Sequence, residues 1–159
     1  MKYIIFISLL FISCSKNSES NSINENENLA SETEQVSNEY YEIYLLEQLN
    51  ENRGYCVDIK GSKLNANPDN GLQAHTCYSY EGEVSVDQGF DNVKIDEDEF
   101  YMPFFNVCME AENTSASSTL NLKGCKKNEK QKFKFNSNAK IVLSDNTNLC
   151  LTVSENSRE

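Results

Sequence analysis

The sequence predicts an all-β domain built from a unit that recurs three times, and three observations carry that expectation. Cys56-Val57-Asp58-Ile59, Cys108-Met109-Glu110-Ala111 and Cys150-Leu151-Thr152-Val153 each follow a turn-rich stretch and open a strand-like run. The first two are answered downstream by a second cysteine and then by Gln-x-Phe: Cys77 with Gln88-Gly89-Phe90, and Cys125 with Gln131-Lys132-Phe133. Between these landmarks lie short runs of alternating polarity, the period of a half-buried strand. Recurrence every few dozen residues is the signature of repeat architecture.

Taken in order, residues 1–13 read as a targeting segment. Lys2 supplies a positive start, and residues 3–12 are apolar except for Ser8. Such a run is shorter than the roughly 20 residues a spanning helix needs. Residues 14–39 are dominated by Ser, Asn and Glu and cannot bury enough surface to offset their ordering entropy, so a disordered tether is expected there. The folded domain is expected over residues 40–159.

Within that domain, residues 41–49 (Tyr-Glu-Ile-Tyr-Leu-Leu-Glu-Gln-Leu) fit an amphipathic helix on their own pattern. Their counterparts before the other leading cysteines are residues 100–105 and 140–143. The last of these is short, β-branched and followed by the turn residues Ser144-Asp145-Asn146. Equivalent positions of a repeat share a conformation, so all three are expected to be strands. In the first unit, alternation puts Leu72, Ala74 and Thr76 on one face and Gln73, His75 and Cys77 on the other. Leu120 to Cys125 is the equivalent run of the second unit. In Lys132-Phe133-Lys134-Phe135 both phenylalanines are expected to point inward.

Charge and cysteine use narrow the function. The net charge is −11, and removing Lys2, the one charge in residues 1–13, takes it to −12. Nucleic acid and anionic membrane surfaces are therefore poor partners. Export makes disulfides permissible. Cys56–Cys77 and Cys108–Cys125 form two pairs within their units, Cys150 is left over because its unit supplies no second cysteine, and Cys14 stands apart at the end of the leader. Zinc frames place ligands in close pairs, and no such spacing occurs here, so no metal or other cofactor is expected. His75 is the only histidine. Neither G-x-S-x-G, H-E-x-x-H nor a phosphate loop is present, which argues against an enzyme.

Two resemblances sharpen this reading. Phe11-Ile12-Ser13-Cys14 resembles the lipobox of bacterial lipoproteins, which implies lipidation of Cys14 and a membrane-anchored place in the cell envelope. Ser15 in place of the Asp of inner-membrane retention implies an outer-membrane or surface address. From about Tyr41 onward, the order of short strands, the cysteine pair within each unit and the closing Gln-x-aromatic strand resemble the ricin B-type lectin family. That resemblance implies a β-trefoil, a six-stranded barrel capped by three hairpins, with Phe standing where the family uses Trp. The first unit covers residues 56–90 and the second residues 108–133, whereas the third has only residues 150–159. At the same unit lengths about 16–25 residues of the third repeat are lacking, so the trefoil is expected to be incomplete there.

The resemblance also implies one sugar site, in the first repeat. Asp58 would accept hydrogen bonds from sugar hydroxyls, His75 would stack on the ring, and Gln73, Asp87 and Gln88 would complete the polar contacts. Charge-assisted hydrogen bonds suit a neutral sugar. Tyr78 and Tyr80 offer a second stacking surface. The second repeat has Glu110, Lys123 and Lys130 at the corresponding places and the third has Thr152, so neither is expected to bind sugar. The implied partner is a glycan or polysaccharide. The competing readings are a structural or protein-binding trefoil and the targeting module of a larger carbohydrate-active enzyme.

Overall fold

The computed structural model describes residues 9–13 and 40–154. Residues 1–8, Cys14, expected to carry lipid, and the tether expected over residues 14–39 lie outside the described residues. The described chain is built of strands: β1 (Leu9–Ser13), β2 (Tyr40–Tyr41), β3 (Tyr55–Ile59), β4 (Leu72–Thr76), β5 (Phe90–Asp91), β6 (Tyr101–Met102), β7 (Val107–Ala111), β8 (Leu120–Lys123), β9 (Phe133–Phe135), β10 (Ile141–Leu143) and β11 (Asn146–Val153). Short 3-10 turns and one brief helix, α1 (Asn92–Asp96), fill the connections.

The repeat is visible in the pairing. In the first unit β3 and β4 form an antiparallel hairpin with Asp58 opposite Gln73 and Cys56 opposite His75. In the second, β7 and β8 set Glu110 opposite Asn121 and Cys108 opposite Lys123. The segment before each leading cysteine is extended, as expected, although only over a few residues. Val57 N–H donates to Ile43 C=O, and Met109 N–H donates to Phe100 C=O, both at 3.0 Å. Residues 41–49 form no helix, because Ile43 must turn its side chain into the core while Tyr44 pairs with Cys56. Tertiary packing overrides the local helical pattern there.

The core converges on three phenylalanines. Phe90 and Phe133, the aromatics of the two Gln-x-Phe sequences, are fully buried with Phe100 between them. Ring centroids lie 6.3 Å apart for Phe90–Phe100 and 6.0 Å for Phe100–Phe133, both edge-to-face. Such contacts add to the burial of area. Ile59, Met102, Met109 and Leu143 close around them. Phe135 departs from the expected inward alternation: it is 48% exposed. Its ring lies at the rim of an apolar groove also lined by Ile43, Leu46, Leu49 and Ile141, where no strand covers it among the described residues.

The cysteine pattern is correct in two of three units. Cys56–Cys77 and Cys108–Cys125 are disulfides spanning 21 and 17 residues. Each should stabilise by about 3 kcal/mol through loop closure in the unfolded chain. Cys150 was expected to be left over. It is instead disulfide-bonded. A second departure concerns the leader. Leu9–Ser13 pairs antiparallel with β11, from Leu9 opposite Val153 to Ser13 opposite Leu149. An apolar extended run satisfies the otherwise unpaired edge of β11, as edge strands favour.

Removing the Phe133 ring should lower the unfolding free energy by about 3–5 kcal/mol, as for other buried aromatics. Urea denaturation of Phe133→Ala, compared with Phe135→Ala at the exposed rim, is expected to show a large loss for the first and a small one for the second.

Candidate functional site

The hairpin of β3 and β4 places Cys56, Asp58, Gln73 and His75 on one face, since directly opposed residues of an antiparallel pair share a side. Asp58 lies at the centre. Its Oδ1 accepts a hydrogen bond from Gln73 Nε2 and its Oδ2 from Gln88 Nε2, both at 2.8 Å. Gln88 Nε2 also donates to Thr76 C=O at 3.0 Å, while Gln88 Oε1 accepts from Tyr78 N–H at 3.1 Å. Asp87 faces a different set. Its Oδ1 accepts from Ser85 Oγ and its Oδ2 from the backbone N–H of Lys63. All four of Asp58, Gln73, Asp87 and Gln88 are buried, Asp58 with 1% of its surface exposed.

Burying a carboxylate raises its pKa unless hydrogen bonds compensate. Asp58 is pushed up to about 7, first by burial; the amides of Gln88 and Gln73 pull it back, and the charges of Asp87 and Glu42 push it further up. The side chain therefore changes charge near neutrality. Two donors on two oxygens orient it firmly in either state.

Two rings stand at the surface above this cluster. His75 and Tyr78 are half-buried, with centroids 5.6 Å apart and planes tilted by 36°. Lys63 Nζ lies 4.9 Å from the Tyr78 ring centre. Tyr80, weighed as a stacking residue, is 70% exposed. The structure thus brings Asp58, Gln73 and Gln88 into one hydrogen-bonded group, sets Asp87 next to it on separate partners, and leaves His75 at the rim. Sequence reasoning missed three participants: Lys63, Ser85 and Glu42. Glu42 accepts hydrogen bonds from Ser79 N–H and Oγ and approaches Cys56 Sγ to 3.5 Å. Lys63 sits in a loop whose composition gives no motif, so nothing in the local pattern marks it.

The second repeat builds the same frame with different chemistry. Gln131 Nε2 donates to Glu110 Oε2 at 2.9 Å and to Gly124 C=O at 3.0 Å, and its Oε1 accepts from Lys126 N–H at 2.6 Å. Asn128 Nδ2 also reaches Glu110 Oε2, at 3.4 Å. Lys123, in the place of His75, is exposed and offers no flat ring. Lys130, in the place of Asp87, points its ammonium to Glu112 C=O. The two carboxylates near each disulfide, Glu42 and Glu99, do not create metal centres, because their cysteine neighbours are already oxidised.

A search of curated proteins returns no match. The family model of the ricin-type beta-trefoil lectin domain matches residues 46–159, well over half of the chain. The match spans both disulfide hairpins, both Gln-x-Phe sequences and the strands of the third unit. The repeated hairpin-and-glutamine frame is thus the frame of a carbohydrate-binding β-trefoil, and the chain belongs to the ricin-type β-trefoil lectin family.

Proposed function

We propose that the protein binds a neutral sugar through its first repeat and presents that site from a lipid anchor on the cell envelope. The observation that carries the reading is the meeting of an oriented carboxylate with aromatic rings at the surface. Asp58, held by Gln73 and Gln88, supplies directed acceptors. His75 and Tyr78 supply flat faces that suit the C–H side of a pyranose. Asp87 adds a second acceptor on the neighbouring residue. A lectin domain of this family is a binding module rather than a catalytic one. The second repeat has the clamp without the ring, which favours a single site. Single-site binding is weak, and many anchored copies on one surface would supply avidity.

The anchor rests on Phe11-Ile12-Ser13-Cys14 and on a polar stretch suited to a tether. Cleavage before Cys14 would remove β1 and open the outer edge of β11. Mass spectrometry of membrane-fraction protein tests this directly. A diacylglyceryl adduct on an N-terminal Cys14 is expected, with Cys150 then a reduced thiol in the anchored chain, and Cys14→Ser should release the protein into the soluble fraction.

Binding to a glycan array is expected to be selective for a small group of neutral sugars. Asp58→Asn keeps the shape and should weaken binding at least tenfold, because a charge-assisted bond becomes neutral. His75→Ala should cost about fivefold through lost stacking. Circular dichroism should show both variants folded. Unchanged affinity in Asp58→Asn would refute the site.

The same carboxyl links stability and binding to pH in opposite senses. Its pKa rises from 3.8 to about 7 on folding, so between those values the native state holds a proton that the unfolded state has lost. Stability from this group is present below pH 3.8 and is lost as pH rises through about 7. Hydroxyl donation to the carboxylate has the reverse dependence. Urea midpoints should fall from pH 5 to pH 8 while sugar affinity rises, and Asp58→Asn should flatten both profiles.

A further inference from the structure

We propose that the exposed turn at residues 62–65 is a gate over the first-repeat site and that Lys63 is its latch. The inference rests on the sugar-site reading above and adds how that site is opened. Asp58 is almost wholly buried, so a sugar reaches it only if something moves. Two segments grip the residues next to it through the backbone. Lys63 N–H donates to Asp87, and Tyr78 N–H donates to Gln88, the next residue along. The side chains of Lys63 and Tyr78 then meet over the ring face at 4.9 Å. Two segments that grip adjacent residues of the site are therefore bridged by one cation–π contact.

The turn is built to swing. Ser62, Lys63, Leu64 and Asn65 are all exposed, Leu64 by 66%. Their internal bonds are those of a single 3-10 turn, Asn65 N–H to Ser62 C=O and Ala66 N–H to Lys63 C=O. Fixed points stand on both sides: Lys60 N–H pairs with Gly71 C=O, and Ala66 is buried in the core. Gly61, at φ 140°, lies between the fixed strand and the turn, and a Cβ there would meet Ala66 Cα at 2.6 Å. Only glycine serves as that hinge. Lys63 itself has φ 47°, a left-handed conformation that an L-residue adopts at a cost. The closed turn is thus held against backbone strain by contacts outside itself.

Both latch contacts engage groups that a sugar would use. Lifting Lys63 frees a face of Tyr78 for a pyranose ring, and it frees Asp87 Oδ2 to accept a hydroxyl. Lys63 and sugar therefore compete, and apparent affinity is reduced by the fraction of molecules in which the gate is open. Among the described residues Lys63 has no carboxylate within salt-bridge distance, so its ammonium is held by the ring alone.

The test compares wild type, Lys63→Ala and Lys63→Arg in the full-length chain. Alanine meets the same left-handed backbone cost as lysine, so it isolates the side chain, and arginine keeps the cation over the ring. Amide hydrogen exchange of residues 61–66 is read together with titration by galactose, glucose, mannose and their N-acetylhexosamines. Exchange in the turn should quicken in Lys63→Ala but not in Lys63→Arg, with β4 unchanged. Affinity for whichever of these sugars binds should improve about two- to fivefold in Lys63→Ala. Faster exchange with no sugar bound by any variant would uphold the gate and defeat the sugar-site reading. Unchanged exchange in the turn would overturn the gate, as would a loss of affinity in Lys63→Ala, which would make Lys63 a sugar contact instead.

Discussion

Two buried glutamine side chains do the same work twice, and the rest of the domain is arranged around them. Gln88 and Gln131 each accept a hydrogen bond from the N–H just after the second cysteine of the unit. Each donates to the carbonyl just before that cysteine and to the carboxylate two residues after the leading cysteine. One amide thus joins both ends of a disulfide hairpin to the closing strand. Two residues later, Phe90 or Phe133 enters the core. A buried amide that satisfies its donors and its acceptor fixes a geometry that apolar packing alone leaves free. Loss of either glutamine would strand a backbone N–H, a carbonyl and a carboxylate together.

The same clamp sets the two carboxylates of the repeats in different surroundings. The shorter arm of Asp58 draws the carboxylate into the hairpin, where Gln73 supplies its second donor. Burial then raises its pKa, so at neutral pH the fold carries a group poised between charge states. The longer Glu110 makes the equivalent bond to Gln131 from a more open position. On the proposed reading, structure and binding in the first repeat draw on the same oxygens. Binding would then be added to a structural bond that both repeats share, and the rings of His75 and Tyr78 and the turn carrying Lys63 are the parts that differ between the repeats.

Much of this was legible in the sequence because repetition reveals what local pattern conceals. Residues 41–49 have helical spacing, yet comparison with residues 140–143 marked them as extended, and the structure agrees. The disulfides Cys56–Cys77 and Cys108–Cys125 and the burial of Phe90 and Phe133 were equally readable. Exposure was harder to read. Alternation set Phe135 inward with Phe133 and gave no sign that Asp58 is buried, because alternation says nothing of what covers a face. Asp58 is buried between the amides of Gln73 and Gln88, while the groove beside Ile43 and Ile141 leaves Phe135 open. The bonding of Cys150 and the pairing of Leu9–Ser13 with β11 were not legible for a related reason: each depends on segments far apart in the chain. Lys63 lay in a loop with no motif, and the role proposed for it rests only on where that loop folds.

The measurement that bears most directly on the account is a map of amide shift changes in isotopically labelled protein as a neutral sugar is added. The account places the largest changes at Lys63, His75, Tyr78 and residues 87–88, with the second-repeat frame around Glu110 and Gln131 unmoved. Changes centred on the second repeat, or on the groove lined by Ile43 and Phe135, would contradict it.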